Sequence, residues 1–151
     1  LEAGNKHDNC IRLGVGLIRG LNASAGVATK HGVMTPMSSA VQKAYVAPYD
    51  SWANRISTLR FVQDIPLGAG DRAWPLLDKA AKALPAFADR PAFIGWGLRD
   101  FVFDKHFLVG FTAALPQAEQ RIFGDAGHYV LEDKADVLVP AIRHFLDANP
   151  V

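Results

Sequence analysis

Two stretches decide how this chain is read: RPAFIGWGLRDFVFD (Arg90–Asp104) and AEQRIFGDAGHYVLED (Ala118–Asp133). In the first, Ala92–Trp96 is apolar at nearly every position and is bounded by Pro91 and Gly97. Such a run suits a strand of a parallel sheet that is covered on both faces. Gly97-Leu98-Arg99-Asp100 then sets a carboxylate just past the carboxyl end of that strand. Asp104 is placed to cap a helix whose apolar positions Phe107, Leu108, Phe111 and Leu115 recur at helical spacing, and Pro116 stops it. Ala118–Phe123 is the second strand, and Gly124-Asp125-Ala126-Gly127-His128 puts a histidine beyond its end. Ligands of open α/β sheets bind outside the carboxyl ends of the strands, so Asp100 and His128 are expected on one rim.

Around this unit the chain is mostly helical. Residues Leu1–Asn9 are polar and without pattern, an ordinary chain start. Ile11–Lys30 carries Leu13, Leu17, Ile18 and Leu21 on one helical face, although its glycines weaken a helix. Thr35-Pro36 reads as a cap followed by a first-turn proline and opens a helix to about Val46. Asp50 or Ser51 is a cap for a further helix with Trp52, Ile56, Leu59 and Val62 along one side, ended by Ile65-Pro66-Leu67-Gly68. Another helix spans about Ala73–Leu84, with Pro75 near its start. A last amphipathic helix runs over Asp133–Ala148, with Pro140 placed to kink it. An average sheet has about five or six strands. Two strands therefore fall short of a normal α/β sheet, and something is missing.

Composition narrows the functional classes. The chain has 151 residues, 50% of them hydrophobic and 21% charged, which is globular rather than disordered. Its net charge is +1 with acids and bases interspersed, which gives no basic face for nucleic acid. The lone Cys10 rules out an internal disulfide and suits a reducing compartment, so a cytoplasmic location is expected. No apolar run is long enough for a membrane span, and no signal peptide is laid out at the N-terminus.

As chemistry, a loop histidine that titrates near neutrality suits proton transfer, and an acid ahead of it suits orientation. Asp104 and Asp125 compete with Asp100 for that orienting role. His7, His31, His106 and His144 sit at the chain start, in a loop or on polar helix positions. No H-x-x-x-H or Cys/His cluster points to a metal. Gly14-Val15-Gly16 with Gly20 misses the spacing of a dinucleotide fingerprint, and no strand precedes it. The serines stand in helical segments, none within G-x-S-x-G, so the sequence displays no nucleophile. Trp52, Trp74 and Trp96 suit a core more than a ligand contact.

Taken together, AFIGWGLRDFVFD (Ala92–Asp104) and GDAGHYVLED (Gly124–Asp133) resemble the acid and histidine segments of the α/β-hydrolases. RGLNASAGVATKHGVMTP (Arg19–Pro36) and AYVAPYDSWANRISTLRFVQDIPL (Ala44–Leu67) resemble something narrower, the helical cap of the haloalkane-dehalogenase-like hydrolases. Within that group they are similar to the β-lactone decarboxylases of bacterial long-chain olefin biosynthesis.

The resemblance implies an α/β fold, the C-terminal half of an α/β-hydrolase. Residues 1–85 would form the helical cap region, and 86–151 the last two strands and helices of the core. It makes Asp100 the triad acid and His128 the base, and places the family's nucleophilic aspartate on an elbow ahead of the cap, outside this chain. Trp52, Ile56 and Leu59 would line a channel for long alkyl chains, or equally pack a core. The implied partners are a hydrophobic small-molecule substrate (a cis-β-lactone, a haloalkane or an ester) and a complementing chain or a second copy of this one. No cofactor is implied. The contrasting expectation is an inactive hydrolase-derived piece that acts by self-association or as an interaction module.

Overall fold

The computed structural model describes residues 14–150. They form two compact units. One comprises 14–30 and Met37–Trp74; the other comprises His31–Pro36 and Pro75 to the C-terminal end.

The first unit is helical. A π-helical turn, Gly16–Gly20, leads to a break at Asn22, the sole non-glycine residue with positive φ (51°) among the described residues. Asparagine tolerates this left-handed backbone, and here its amide donates to the Tyr49 carbonyl at 3.1 Å. The single helix expected over Ile11–Lys30 is thus two segments within the described residues. The second is α1, Ala23–His31, so His31 ends a helix rather than standing in a loop.

The next helix, α2 (Ser39–Val46), begins later than the Thr35-Pro36 signal suggested. Ser38 is the cap, its hydroxyl accepting the Val41 N–H at 3.3 Å. Thr35 cannot cap this helix because Ser38, three residues on, is still extended (φ −60°, ψ 154°). A 3₁₀ turn, Ala47–Tyr49, follows. Ser51 caps a turn, accepting the Asn54 N–H, and α3 begins only at Ile56 and ends at Asp64. Leu59 is buried (7% exposed) on this helix, whereas Trp52 precedes it and is half exposed.

Helix α4 (Trp74–Ala83) leads into the second unit, and its Pro75 sits in the first turn where its missing N–H has no bond to lose. A 3₁₀ turn, Leu84–Phe87, closes it. Strand β1 (Phe93–Gly97) pairs in parallel with β2 (Glu119–Phe123), with Phe93 opposite Glu119 and Gly97 opposite Phe123. Parallel neighbours need a crossover, and α5 (Lys105–Ala114) supplies it. Asp104 caps α5 as expected, its carboxylate accepting the His106 N–H at 2.9 Å.

The two faces of β1 are both covered, as its apolar run implied. Successive side chains alternate across a strand. Phe93 meets Phe145 (ring centroids 5.6 Å apart) and Gly95 lies against Leu138, both residues of the last helix. Trp96 points the other way, onto Phe111 of α5 at 5.9 Å. Leu138 is the best-buried large side chain, at 1% exposure. Burying a leucine side chain contributes roughly 1.5–3 kcal/mol. By contrast β2 leaves Gln120, Arg121 and Ile122 exposed.

The helix expected over Asp133–Ala148 is two: α6 (Val130–Asp133) and α7 (Ala135–Ala148), separated at Lys134, where φ is −136°. Helix α7 continues through Pro140.

Candidate active site

Backbone hydrogen bonds stitch the loops after β1 and β2 together. The Leu98 N–H donates to the Phe123 carbonyl at 2.8 Å, and the Arg99 N–H to the Ala126 carbonyl at 2.9 Å. The Arg99 side chain adds a bond to the Gly124 carbonyl at 3.2 Å. This seam requires glycine at 97. A Cβ there would overlap the carbonyl oxygens of Ala126 and Gly127, backbone atoms that cannot step aside alone. Ala126 is fully buried, so the second loop is wedged against the end of β1.

The seam delivers Asp100 and His128 to each other. His128 Nδ1 lies 2.9 Å from Asp100 Oδ2. The other oxygen, Oδ1, accepts the backbone N–H groups of Val102 (2.7 Å) and Phe103 (2.9 Å). The carboxylate is therefore oriented by its own loop before it meets the imidazole. Its side chain is only 9% exposed, against 30% for His128. A carboxylate only accepts, so Nδ1 carries the hydrogen, and in the neutral imidazole Nε2 keeps its lone pair. That is the tautomer a general base needs.

Neither competitor takes the place of Asp100. Asp104 caps α5 and pairs with the exposed His106 at 3.1 Å; the hydrogen bond from His106 holds its carboxyl below the ordinary carboxylate value. Asp125 turns outward to Lys134 at 2.7 Å. The hydrogen bond between them lowers the Asp125 carboxyl and raises the Lys134 ammonium.

Three aromatic rings surround the imidazole: Phe101 at 6.4 Å, Phe103 at 5.6 Å and Tyr129 at 5.6 Å between centroids. Phe101 and Phe103 are nonetheless well exposed, so they make an apolar collar rather than a core. Sequence reasoning assigned them no role, although the alternation Asp100-Phe-Val-Phe-Asp104 was the signal.

It also assigned none to Asp133. Its Oδ2 accepts the Gly127 N–H at 2.8 Å, and its Oδ1 accepts those of Met34 (2.9 Å) and Thr35 (2.8 Å). The Tyr129 N–H in turn donates to the Gly32 carbonyl at 2.8 Å. Segment 31–36 is thereby fastened to the histidine loop.

Of the residues proposed for a substrate channel, Leu59 is a buried residue of α3, whereas Ile56 and Trp52 reach the surface. The Arg19 guanidinium lies over the Trp52 ring at 4.3 Å and donates to its carbonyl at 2.7 and 3.1 Å. The glycine cluster at 14–20 is helical and is not a strand-to-helix turn. His7 and Cys10 lie outside the described residues. Among the described residues no group of three His, Cys, Asp or Glu side chains is placed to hold a metal ion, and no helix is long and apolar enough to cross a membrane.

Comparison with solved structures places this architecture. The chain matches haloalkane dehalogenase DbeA from Bradyrhizobium elkani with a TM-score of 0.75 at 23% identity, covering 99% of this chain and 54% of that one. An M1 loop variant of DbeA gives 0.79 at 23% identity, covering 97% and 50%. The fold is the C-terminal half of an α/β-hydrolase. In sequence the chain is similar to a cis-3-alkyl-4-alkyloxetan-2-one decarboxylase of Xanthomonas campestris pv. campestris, 64% identical over 140 residues that cover 93% of this chain and 47% of the relative. The enzyme of the same name from Shewanella oneidensis is 54% identical over 135 residues, covering 89% and 42%. The chain thus spans a little under half the length of the curated relatives it matches. No family model matches it. The resemblance drawn from GHYVLED and the cap-like segments therefore holds: this α/β-hydrolase half is haloalkane-dehalogenase-like in fold and decarboxylase-like in sequence.

Proposed function

We propose that this chain carries the acid and the base of an α/β-hydrolase reaction, Asp100 and His128. The nucleophilic aspartate would come from a segment outside these 151 residues. The 2.9 Å contact between His128 Nδ1 and Asp100 Oδ2, at the carboxyl ends of two parallel strands, is the observation that carries this reading. Residues 1–85 act as the cap region and 86–151 as the core. With a haloalkane or an ester, the aspartate attacks an electrophilic carbon and His128, held in the Nδ1–H tautomer, activates water to release the covalent intermediate. With a β-lactone, the ring-opened aspartyl ester loses carbon dioxide as its bond to the aspartate breaks, so alkene and carbon dioxide account for all the lactone's atoms and no water is consumed.

The substrate class is a cis-β-lactone bearing long alkyl chains, with an alkene and carbon dioxide as products. The names of the two sequence relatives and the apolar collar of Phe101 and Phe103 support it. Haloalkanes or esters are the runner-up substrates. Trp52 and Ile56 are offered for contact with the alkyl chains. Leu59, the third residue offered for this channel, is buried on α3.

A second reading, a self-associating or interaction module without turnover, draws on a different observation. Many large apolar side chains are exposed, among them Phe61, Leu76, Phe101 and Val109, and the described sheet has only two strands. Exposed apolar patches and open strand edges favour association. The purified chain is therefore expected to self-associate or to hold a second polypeptide; a monodisperse monomer that unfolds cooperatively would sink this expectation.

Native and denaturing mass spectrometry, followed by assays of a long-chain cis-β-lactone and a haloalkane, tests both readings. A complementing polypeptide that carries an elbow aspartate, together with lactone turnover that falls by about a thousandfold or more in His128→Ala, is the expected result. Turnover that His128→Ala leaves intact overturns the catalytic assignment. A homo-oligomer without turnover in any complex selects the interaction module.

A further inference from the structure

We infer that Asp133 is a positioning residue for His128, binding the loop that carries the histidine to segment 31–36. Asp100 holds the imidazole; Asp133 holds the backbone beneath it. The two residues flanking His128 are both anchored. The Gly127 N–H goes to Asp133 Oδ2 at 2.8 Å, and the Tyr129 N–H goes to the Gly32 carbonyl at 2.8 Å. Gly32 is itself held in place because the next two N–H groups but one, those of Met34 and Thr35, close on the same Asp133 carboxylate at 2.8 to 3.0 Å. The packing leaves no slack, since a Cβ on Gly127 would stand 2.6 Å from the Gly32 oxygen. All of these atoms belong to the second unit, although the chain on both sides of 31–36 belongs to the first.

The chemistry requires a carboxylate. Both oxygens of Asp133 face backbone donors, and hydrogen bonds to a charged acceptor are the stronger kind. An asparagine of the same shape supplies one acceptor and a donating amide. That amide would have to confront an N–H, either of Gly127 or of the Met34–Thr35 pair, so one half of the clamp opens. The consequence for catalysis rests on the reading of His128 as the base. The positioning itself does not.

Amide hydrogen exchange and ¹⁵N-imidazole NMR on the whole chain test the inference, with Asp133→Asn, Asp133→Glu and the neighbouring Asp125→Asn compared. Asp133→Asn is expected to speed exchange at Gly127, or at Met34 and Thr35, by on the order of tenfold or more. It is also expected to turn His128 from a single Nδ1–H tautomer into a mixture. Asp133→Glu restores at least part of the single-tautomer signal, and Asp125→Asn leaves it untouched. An unchanged His128 tautomer in Asp133→Asn overturns the inference. If that variant does not fold, exchange in the unmodified chain decides. A common slow rate for Met34, Thr35, Gly127 and Tyr129 supports one clamped unit, and a separate fast rate at Gly127 overturns it. His128→Ala that leaves turnover intact would remove the catalytic reading while leaving these outcomes in force.

Discussion

The clasp around Arg55 and the loops around His128 hold irregular backbone in opposite ways. In the first, side chains donate and backbone carbonyls accept: Arg55 reaches the carbonyls of Tyr49 (2.8 Å), Arg19 (2.8 Å), Gly20 (3.0 Å) and Asp50 (3.1 Å). In the second, backbone N–H groups donate and the carboxylates of Asp100 and Asp133 accept. A guanidinium fork gathers several carbonyls from one long, adjustable arm. A carboxylate on a short arm fixes the amides that meet it to within a fraction of an ångström. The first device suits a helical region that only has to stay folded. The second suits a loop that has to hold one imidazole in one orientation. The backing differs as well, because the His128 loops press glycine backbone against backbone, whereas the glycines at 14, 16 and 20 have open space where a Cβ would go.

The comparison breaks most readily at Gly97. Gly97→Ala drives a methyl group into two carbonyl oxygens and is expected to cost about 3 kcal/mol or more. It should also abolish the Asp100–His128 contact. Gly110→Ala, with open space around it in α5, should be neutral or stabilising by up to about 1 kcal/mol. Denaturant unfolding at fixed chain concentration reads both, and equal effects would refute the backbone seam. Leu138→Ala should follow with a loss of about 2–5 kcal/mol by the same measurement, since the side chain is enclosed and packs on Gly95.

Arg55→Lys sharpens the contrast from the other side. A single ammonium cannot reach four carbonyls, so a loss of about 1–3 kcal/mol is expected, with the His128 tautomer unaffected. A change at His128 would show that the two regions are energetically one. The smallest effect is that of pH on the Asp125–Lys134 pair. The Asp125 carboxyl is lowered in the folded chain by the hydrogen bond from Lys134, so its contribution is present above the ordinary carboxylate value of 3.8 and fades as pH falls through the depressed one. Lys134 is raised by the same bond, so its share is present below the ordinary 10.5 and fades as pH climbs through the raised value. Asp125 is largely exposed, so solvent screens the pair and the dependence should be slight. Thermal melts of Asp125→Asn against the parent should coincide at both pH extremes and separate slightly between them.

Much of the second unit was legible because its signals are local. An apolar run between Pro91 and Gly97, a cap at Asp104 and a helical spacing from Phe107 each depend on a few neighbouring residues, and each element formed within a residue or two of its expected place. Asp100 and His128 were legible for the same reason, since a residue just past a strand end inherits the strand's direction. The misplaced boundaries had non-local causes. Thr35-Pro36 has the form of a helix start, but the backbone stays extended to Ser38, and the segment meets a carboxylate 98 positions away. The helix expected through Asn22 breaks where that side chain finds the carbonyl of Tyr49, 27 positions on.

The sequence by itself determined the β-α-β unit and the order of acid and histidine, because strand, helix and cap preferences act over short distances along the chain, and its motifs at Ala92–Asp104 and Gly124–Asp133 carried the likeness to α/β-hydrolases. Only the tertiary structure decided which of three aspartates meets His128, that Phe101, Phe103 and Tyr129 surround it, and that Asp133 fastens its loop to segment 31–36. Hydrogen bonds and close backbone approaches join residues that no local pattern links. Their partners are set by where the folded chain brings donors and acceptors within about 3 Å.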